Sequence, residues 1–294
     1  MPLTPIDGHT QLVGLIGWPV EHSMSPAMHN AAFEARDLNW RYLPLPVPPG
    51  RVEAAARGLA ALGFRGANLT VPHKRSVLQA LDTIAPEAKA LGAINTIVVE
   101  RDAEGTTTLS GHNTDAAGFI GALRAAGFDP TGSSVVVVGA GGAARAVVFG
   151  LLKAEAASVL VLNRTLERAR ALVADLGRSS QSILRAEVLD EETLLETVRA
   201  ADLLVNATPI GMWPRVDASI WPVEIPLPSC LTVFDLVYNP LETKLLRQAR
   251  RSGAEALDGL DMLVRQGALA FEMWTGVEAP VEIMRGTCER ALNK

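Results

Sequence analysis

The chain predicts an α/β fold in two parts: an N-terminal open α/β domain and a doubly wound domain with a parallel sheet. Three observations carry this. Strand-like and helix-like segments alternate along the whole chain, the pattern of sheets covered by helices. Four consecutive valines, Val135–Val138, make a strand that must be buried on both faces. That strand runs straight into Gly139-Ala140-Gly141-Gly142-Ala143-Ala144, a G-x-G-x-x-A turn opening a helix, with a second strand at Val159–Leu162. The length of 294 residues suits about two domains, and a 48% hydrophobic content can fill two cores.

The elements follow in order. Gln11–Gly17 is an apolar strand, and Ser25 and Pro26 open a helix to about Ala35, with Ser25 as N-cap and Pro26 at the first helical position. Trp40–Val47 reads as a strand stopped by Pro48 and Pro49, Arg51–Leu62 as a helix, and Gly66–Val71 as a third strand. Two short helices precede strands near Ala93–Glu100 and Thr106–Gly111, joined by a hairpin turn at Asp102–Gly105. A helix from Asp115 leads toward Phe128 and the glycine turn. Further βα units start near Ala186–Leu189, Asp202–Thr208 and Thr232–Tyr238. Trp213–Pro228 is a long Pro-rich loop, and the last helices cover roughly Met262–Trp274 and Val281–Leu292.

Composition excludes several functions. A net charge of −5 argues against nucleic acid or an anionic membrane as the main partner. Cys230 and Cys288 form no C-x-x-C and no metal spacing, so free thiols in a reducing compartment and no metal are expected. No basic and apolar leader precedes the first strand, and no apolar run approaches the ~20 residues that span a bilayer. The expectation is a cytoplasmic protein acting on a small molecule.

The glycine turn has a physical reading. Gly139 allows the tight turn, Gly141 lets the backbone approach a pyrophosphate, and small Ala144 lets helix and strand pack closely. The pyrophosphate then meets free N–H groups at the helix N-terminus. NAD-binding folds usually place Asp or Glu at the end of the second strand to hold the ribose 2′-hydroxyl. Here Asn163-Arg164-Thr165 stands there, with Arg168 one turn on. Two guanidiniums and a hydroxyl can surround a 2′-phosphate, which favours NADP over NAD. The same residues also serve as a plain helix start with Thr165 as N-cap; the two uses are compatible.

Polar clusters mark four places in the first half: Ser23 and Ser25 after the first strand, Asn68 to Lys74 after the third, Asn95 within an apolar stretch, and Asp115 at a helix start. Singly, each has a plain structural reading, such as Ser25 or Asp115 capping a helix. Together, with a dinucleotide turn in the other half, they describe a polar, hydroxyl-rich substrate held against a nicotinamide.

The segments HSMSPAMHNAAF (22–33), NLTVPHK (68–74), GAINT (92–96), GHNTDAAGF (111–119), GAGGAARA (139–146), NRT (163–165), NATPIGM (206–212), DLVYNP (235–240) and GLDMLVRQGALAFEMWTG (259–276) resemble the shikimate dehydrogenase family. The resemblance spans nearly the whole chain. It implies a substrate domain over 1–114, a Rossmann-like NADP domain over 115–258, and C-terminal helices over 259–294 returning to the first domain. It implies NADP-dependent interconversion of 3-dehydroshikimate and shikimate, in a monomer or homodimer. By the match, Ser23 and Ser25 hold the substrate carboxylate with help from Tyr238. Thr70, Asn95, Asp115 and Gln266 contact ring hydroxyls, and Lys74 with Asp115 forms the catalytic pair. Gly139, Ala140, Gly141, Gly142, Ala143, Asn163, Arg164, Thr165, Arg168 and Thr208 hold the cofactor, with Leu236 and Gly259 at the nicotinamide. Two other readings of the resemblance are a quinate/shikimate dehydrogenase with relaxed cofactor use and a non-catalytic ligand sensor of the same fold.

Overall fold

The structure, a computed structural model, describes residues 5–177 and 183–292. It divides into two compact units: the chain through Thr114 together with the part from Val264 onward, and Asp115–Leu263. Among the described residues no helix is long and apolar enough to cross a membrane.

The first unit opens with β1 (Gln11–Gly17), α1 (Ser25–Ala35), β2 (Trp40–Pro46), α2 (Val52–Ala61) and β3 (Gly66–Leu69). A 3-10 turn over Ser76–Ala80 leads to β4 (Thr83–Ile84), α3 (Pro86–Leu91), β5 (Thr96–Arg101) and β6 (Thr107–His112). The sheet order is β2-β1-β3-β5-β6-β4. β1 lies parallel to β2 and β3, which is why its apolar run is buried on both faces. β3, β5 and β6 pair antiparallel, and Gly105 (φ +87°) closes the β5–β6 hairpin. On one face Ile16, Leu59, Phe64, Ile94 and Ile97 form the core under α2.

Three sequence expectations are corrected in this unit. Ser25 is not the N-cap of α1. Met24 takes that place, because its carbonyl already accepts the amide of Met28 (3.0 Å), leaving Ser25 inside the first turn and buried. The third strand stops at Leu69, since His73 N–H bonds the Thr70 carbonyl (2.9 Å) and turns the chain away. The strand expected from Ala93 begins at Thr96, because Ile94 N–H goes to the Lys74 carbonyl (2.7 Å) instead of a strand neighbour.

The second unit comprises α4 (Asp115–Ala125), β7 (Ser134–Val138), α5 (Gly142–Lys153), β8 (Ser158–Asn163), α6 (Leu166–Leu176) and β9 (Ile183–Val188). It continues with α7 (Glu191–Val198), β10 (Leu203–Asn206), β11 (Thr232–Asp235), α8 (Lys244–Arg251) and β12 (Glu255–Leu257). All six strands are parallel, in the order β12-β11-β10-β7-β8-β9. The chain therefore reverses its direction of winding at β7, and ligands of such sheets bind beyond the strand ends at that switch point. Phe119, Val147, Leu151 and Phe234 pack on one face, and Leu194, Trp221, Leu245 and Leu246 on the other. α4 ends before Phe128 because Gly127 turns left-handed (φ +85°) and Phe128 N–H bonds back to the Leu123 carbonyl (3.0 Å). The Pro-rich stretch holds no regular element and is anchored by buried Trp221, whose indole donates to the Ile225 carbonyl at 2.7 Å.

The chain closes with α9 (Leu260–Thr275) and α10 (Val281–Leu292). The second unit runs through Leu263 instead of stopping at 258, since Met262 packs on its core. From Val264 on, α9 belongs to the first unit: Phe271 stacks on Phe33 (5.2 Å), and the Trp274 indole donates to the Ile97 carbonyl (3.0 Å). α10 packs against α1.

Candidate active site

In the first unit the turn after β3 is fixed at four points. Thr70 N–H bonds the Ile16 carbonyl (2.9 Å), and His73 N–H closes on the Thr70 carbonyl. The buried His73 ring donates through Nε2 to the Val47 carbonyl (2.6 Å), and the Lys74 carbonyl accepts from Ile94 N–H. Thr70 and Lys74, both half-buried, are thus presented by a backbone with little freedom. Beyond β1, the Ser23 hydroxyl accepts from Ser25 N–H at 3.2 Å, so both predicted serines share one turn.

Behind these residues runs a buried chain of polar side chains. The Tyr42 hydroxyl donates to Asn68 Oδ1 (2.9 Å). Asn68 Nδ2 donates to the Asn95 carbonyl and to Thr96 Oγ1, both at 3.1 Å. Thr96 Oγ1 donates to Asn95 Oδ1 (3.0 Å), which also accepts Thr114 N–H (2.8 Å). Asn95 Nδ2 reaches Thr114 Oγ1 (2.9 Å) and, more loosely, Gln266 Oε1 on α9 (3.3 Å). The last bond is the longest of the chain and joins two residues predicted to touch the same ligand. Beside the chain, His29 is buried with its ring stacked on Tyr42 (4.4 Å, 1°), and burial pushes its imidazole down to about 3.

In the second unit, Gly139 adopts φ +117°, and a Cβ there would sit 2.9 Å from the Ala207 carbonyl, so only glycine fits. Gly141 precedes α5 with extended backbone; a Cβ on it or on Gly142 would meet nothing within 4 Å. The exposed turn over Gly141 to Ala143 therefore leaves the N–H groups of α5 open, and Ala140 beside it is half-buried. Asn163 ends β8 and its amide donates to the Thr165 carbonyl (2.8 Å). Thr165 occupies the N-cap of α6, but its hydroxyl makes no capping bond. Arg164 and Arg168 are exposed and, among the described residues, carry no ion pair. These residues fit a dinucleotide with a 2′-phosphate.

A second buried network stands behind this region. Asn206 Oδ1 accepts from Thr208 N–H (3.1 Å) and Oγ1 (2.7 Å), and its amide donates to Asp235 Oδ1 (2.9 Å) and the Ile210 carbonyl (3.2 Å). Asp235 also accepts from Val237 N–H (3.1 Å) and Thr243 Oγ1 (2.7 Å). Burial pushes its carboxyl up to about 6, against these hydrogen bonds. One carboxylate thereby ties together the loops carrying Thr208, Leu236 and Tyr238. A Cβ on Gly259 would collide with the Leu236 carbonyl, which fixes glycine there.

The structure thus brings Ser23, Ser25, Thr70, Lys74, Asn95 and Gln266 into the first unit. Asp115, buried at the start of α4, and Tyr238 belong to the second with the predicted cofactor residues. Sequence reasoning missed Tyr42, Thr114, His29 and Asp235. Asp235 had a local signal, a lone carboxylate inside the apolar run Val233–Val237.

A substrate-type α/β unit carried on one chain with a parallel dinucleotide unit and its open glycine turn defines a two-domain pyridine-nucleotide oxidoreductase. Comparisons with known proteins narrow this. A family model for the shikimate dehydrogenase substrate binding domain matches residues 15–97, one for shikimate/quinate 5-dehydrogenase matches 122–211, and one for the shikimate 5′-dehydrogenase C-terminal domain matches 259–289. Shikimate dehydrogenase (NADP(+)) of Moorella thermoacetica is 48% identical, covering 98% of this chain and 95% of that one. The enzyme of the same name from Methanopyrus kandleri is 48% identical, covering 95% of each. The crystal structure of shikimate 5-dehydrogenase from Thermus thermophilus in complex with NADP(H) and shikimate superposes with a TM-score of 0.84 at 41% identity, covering 96% of this chain and 100% of that one. The chain belongs to the shikimate dehydrogenase family of NADP-dependent oxidoreductases.

Proposed function

We propose that the chain interconverts 3-dehydroshikimate and shikimate with Lys74 and Asp115 as its catalytic pair. The observation that supports this most is the fixed turn presenting Lys74 in the same unit as Ser25, Asn95 and Gln266. NADPH, when bound, supplies the hydride. As the ketone carbon accepts it, negative charge grows on the ketone oxygen, and the Lys74 ammonium stabilises that charge and delivers the proton that completes the hydroxyl. In the reverse direction neutral Lys74 takes the same proton back. Asp115 orients the ammonium and accepts from a neighbouring substrate hydroxyl.

Ser23, Ser25 and Tyr238 hold the carboxylate; Thr70, Asn95 and Gln266 hold ring hydroxyls and so select the ring. Gly139 to Ala143 receive the pyrophosphate, Asn163 to Thr165 with Arg168 the 2′-phosphate end. Thr208, Leu236 and Gly259 line the nicotinamide. With Cys230 and Cys288 as free thiols, the same reading places the protein in the reducing cytoplasm.

Steady-state rates with shikimate or quinate, and with NADP or NAD, test the reading. It expects the highest kcat/KM for shikimate with NADP. Preference for quinate with NAD, or ligand binding with no change at the nicotinamide absorbance band, contradicts it.

A further inference from the structure

We infer that Tyr42, outside the predicted ligand contacts, is a positioning residue whose hydroxyl fixes the direction of the protons between Asn68 and Gln266. The inference rests on the reading that Asn95 and Gln266 hold the substrate.

Two backbone groups remove the ambiguity of the amides. The Asn95 carbonyl can only accept, so the Asn68 atom facing it at 3.1 Å is Nδ2, and Oδ1 must face Tyr42. The Thr114 N–H can only donate, so the Asn95 atom facing it at 2.8 Å is Oδ1, and Nδ2 faces Thr114 Oγ1 and Gln266. Thr96 between them receives from Asn68 and gives to Asn95. Tyr42 has one proton, and Asn68 Oδ1 takes it. Every bond in the chain therefore points the same way, from Tyr42 toward Gln266.

This ordering has a consequence where the ligand binds. A ligand hydroxyl accepts from an Asn95 amide already held in one orientation. The Tyr42 ring is itself immobilised, buried and stacked face to face on His29. Removing its hydroxyl strands Asn68 Oδ1 without its donor in a buried site and releases Asn68, then Thr96, then Asn95 from their fixed senses.

The test compares Tyr42→Phe, Thr96→Val and Asn95→Ala by steady-state kinetics and thermal melting of the full chain. Tyr42→Phe is expected to raise the shikimate KM about tenfold, the scale of an orphaned buried acceptor. The NADP KM should stay within about twofold, because that ligand is held by the other unit. Thr96→Val should reproduce the split, and it decides the matter if Tyr42→Phe does not fold. An unchanged shikimate KM in both, with Asn95→Ala raising it, overturns the inference and leaves the site assignment standing. So does a proportional rise of both KM values that follows the loss of melting temperature, which marks a merely structural role. An unchanged shikimate KM in Asn95→Ala overturns the site assignment itself, and this inference with it.

Discussion

The first unit keeps a base neutral in its interior, whereas the second keeps a carboxyl there; the same acid therefore acts on them in opposite directions. His29 lies among Tyr42, Phe33 and Trp274, and neither ring nitrogen has a hydrogen-bond partner among the described residues. Asp235 sits among three donors, Asn206, Val237 and Thr243. A neutral imidazole costs nothing above the unfolded value of 6.5. As pH falls from there toward about 3, the unfolded chain takes up a proton that the folded one refuses, and stability drops. For Asp235 the folded value of about 6 lies above the ordinary 3.8. Its contribution is fully present at and below 3.8 and is lost as pH rises through about 6. The lesson is that the net charge of −5 does not set this pH profile; the particular group buried in each unit does.

The largest effect that could break this contrast belongs to His29. His29→Phe keeps a ring against Tyr42 but removes the titration. Relative to wild type it should gain about 3 kcal/mol on going from pH 7.5 to pH 4, whatever its offset at neutral pH. Urea unfolding at a series of pH values measures this, and a constant difference would show that His29 takes up its proton as readily in the fold as in the unfolded chain.

Asp235→Asn comes next, with the opposite sign. Its amide oxygen can accept from Asn206 and Val237 while its NH2 donates to Thr243 Oγ1, so the network survives without a charge. The variant should gain about 2.5 kcal/mol relative to wild type between pH 4 and pH 7.5. Parallel stability curves would place the Asp235 carboxylate in a far better solvated site than its zero exposure indicates.

Arg164→Ala sharpens the comparison from the surface, where an exposed charge contributes little to folding. Unfolding stability should change by less than about 0.5 kcal/mol, while the Kd for NADPH should rise at least about tenfold with NADH nearly unaffected. Equal weakening of both cofactors, read by fluorescence titration, would remove Arg164 from the 2′-phosphate.

Much of this was legible in the residues. β1 and α10 fall on their expected bounds because apolar periodicity and turn residues frame them clearly. The glycine turn was legible because backbone geometry leaves Gly139 no alternative. β4 and β12, of two and three residues, are too short to carry a period. Tyr42 and Asn68 pair across two strands, 26 residues apart, and Asn95 meets Gln266 across 171, so no local pattern announces either bond. Ser25 read as a cap because its residue type and Pro26 favour one; the Met24 carbonyl, by taking the Met28 amide, puts Ser25 inside the first turn instead.

The most direct test of the account is the single-turnover rate at which enzyme-bound NADPH reduces 3-dehydroshikimate in Lys74→Met, which keeps the stem and removes the amine. The account predicts a rate at least about 100-fold below wild type, the usual scale for a lost proton donor, with shikimate still bound. A rate within about twofold of wild type would contradict it.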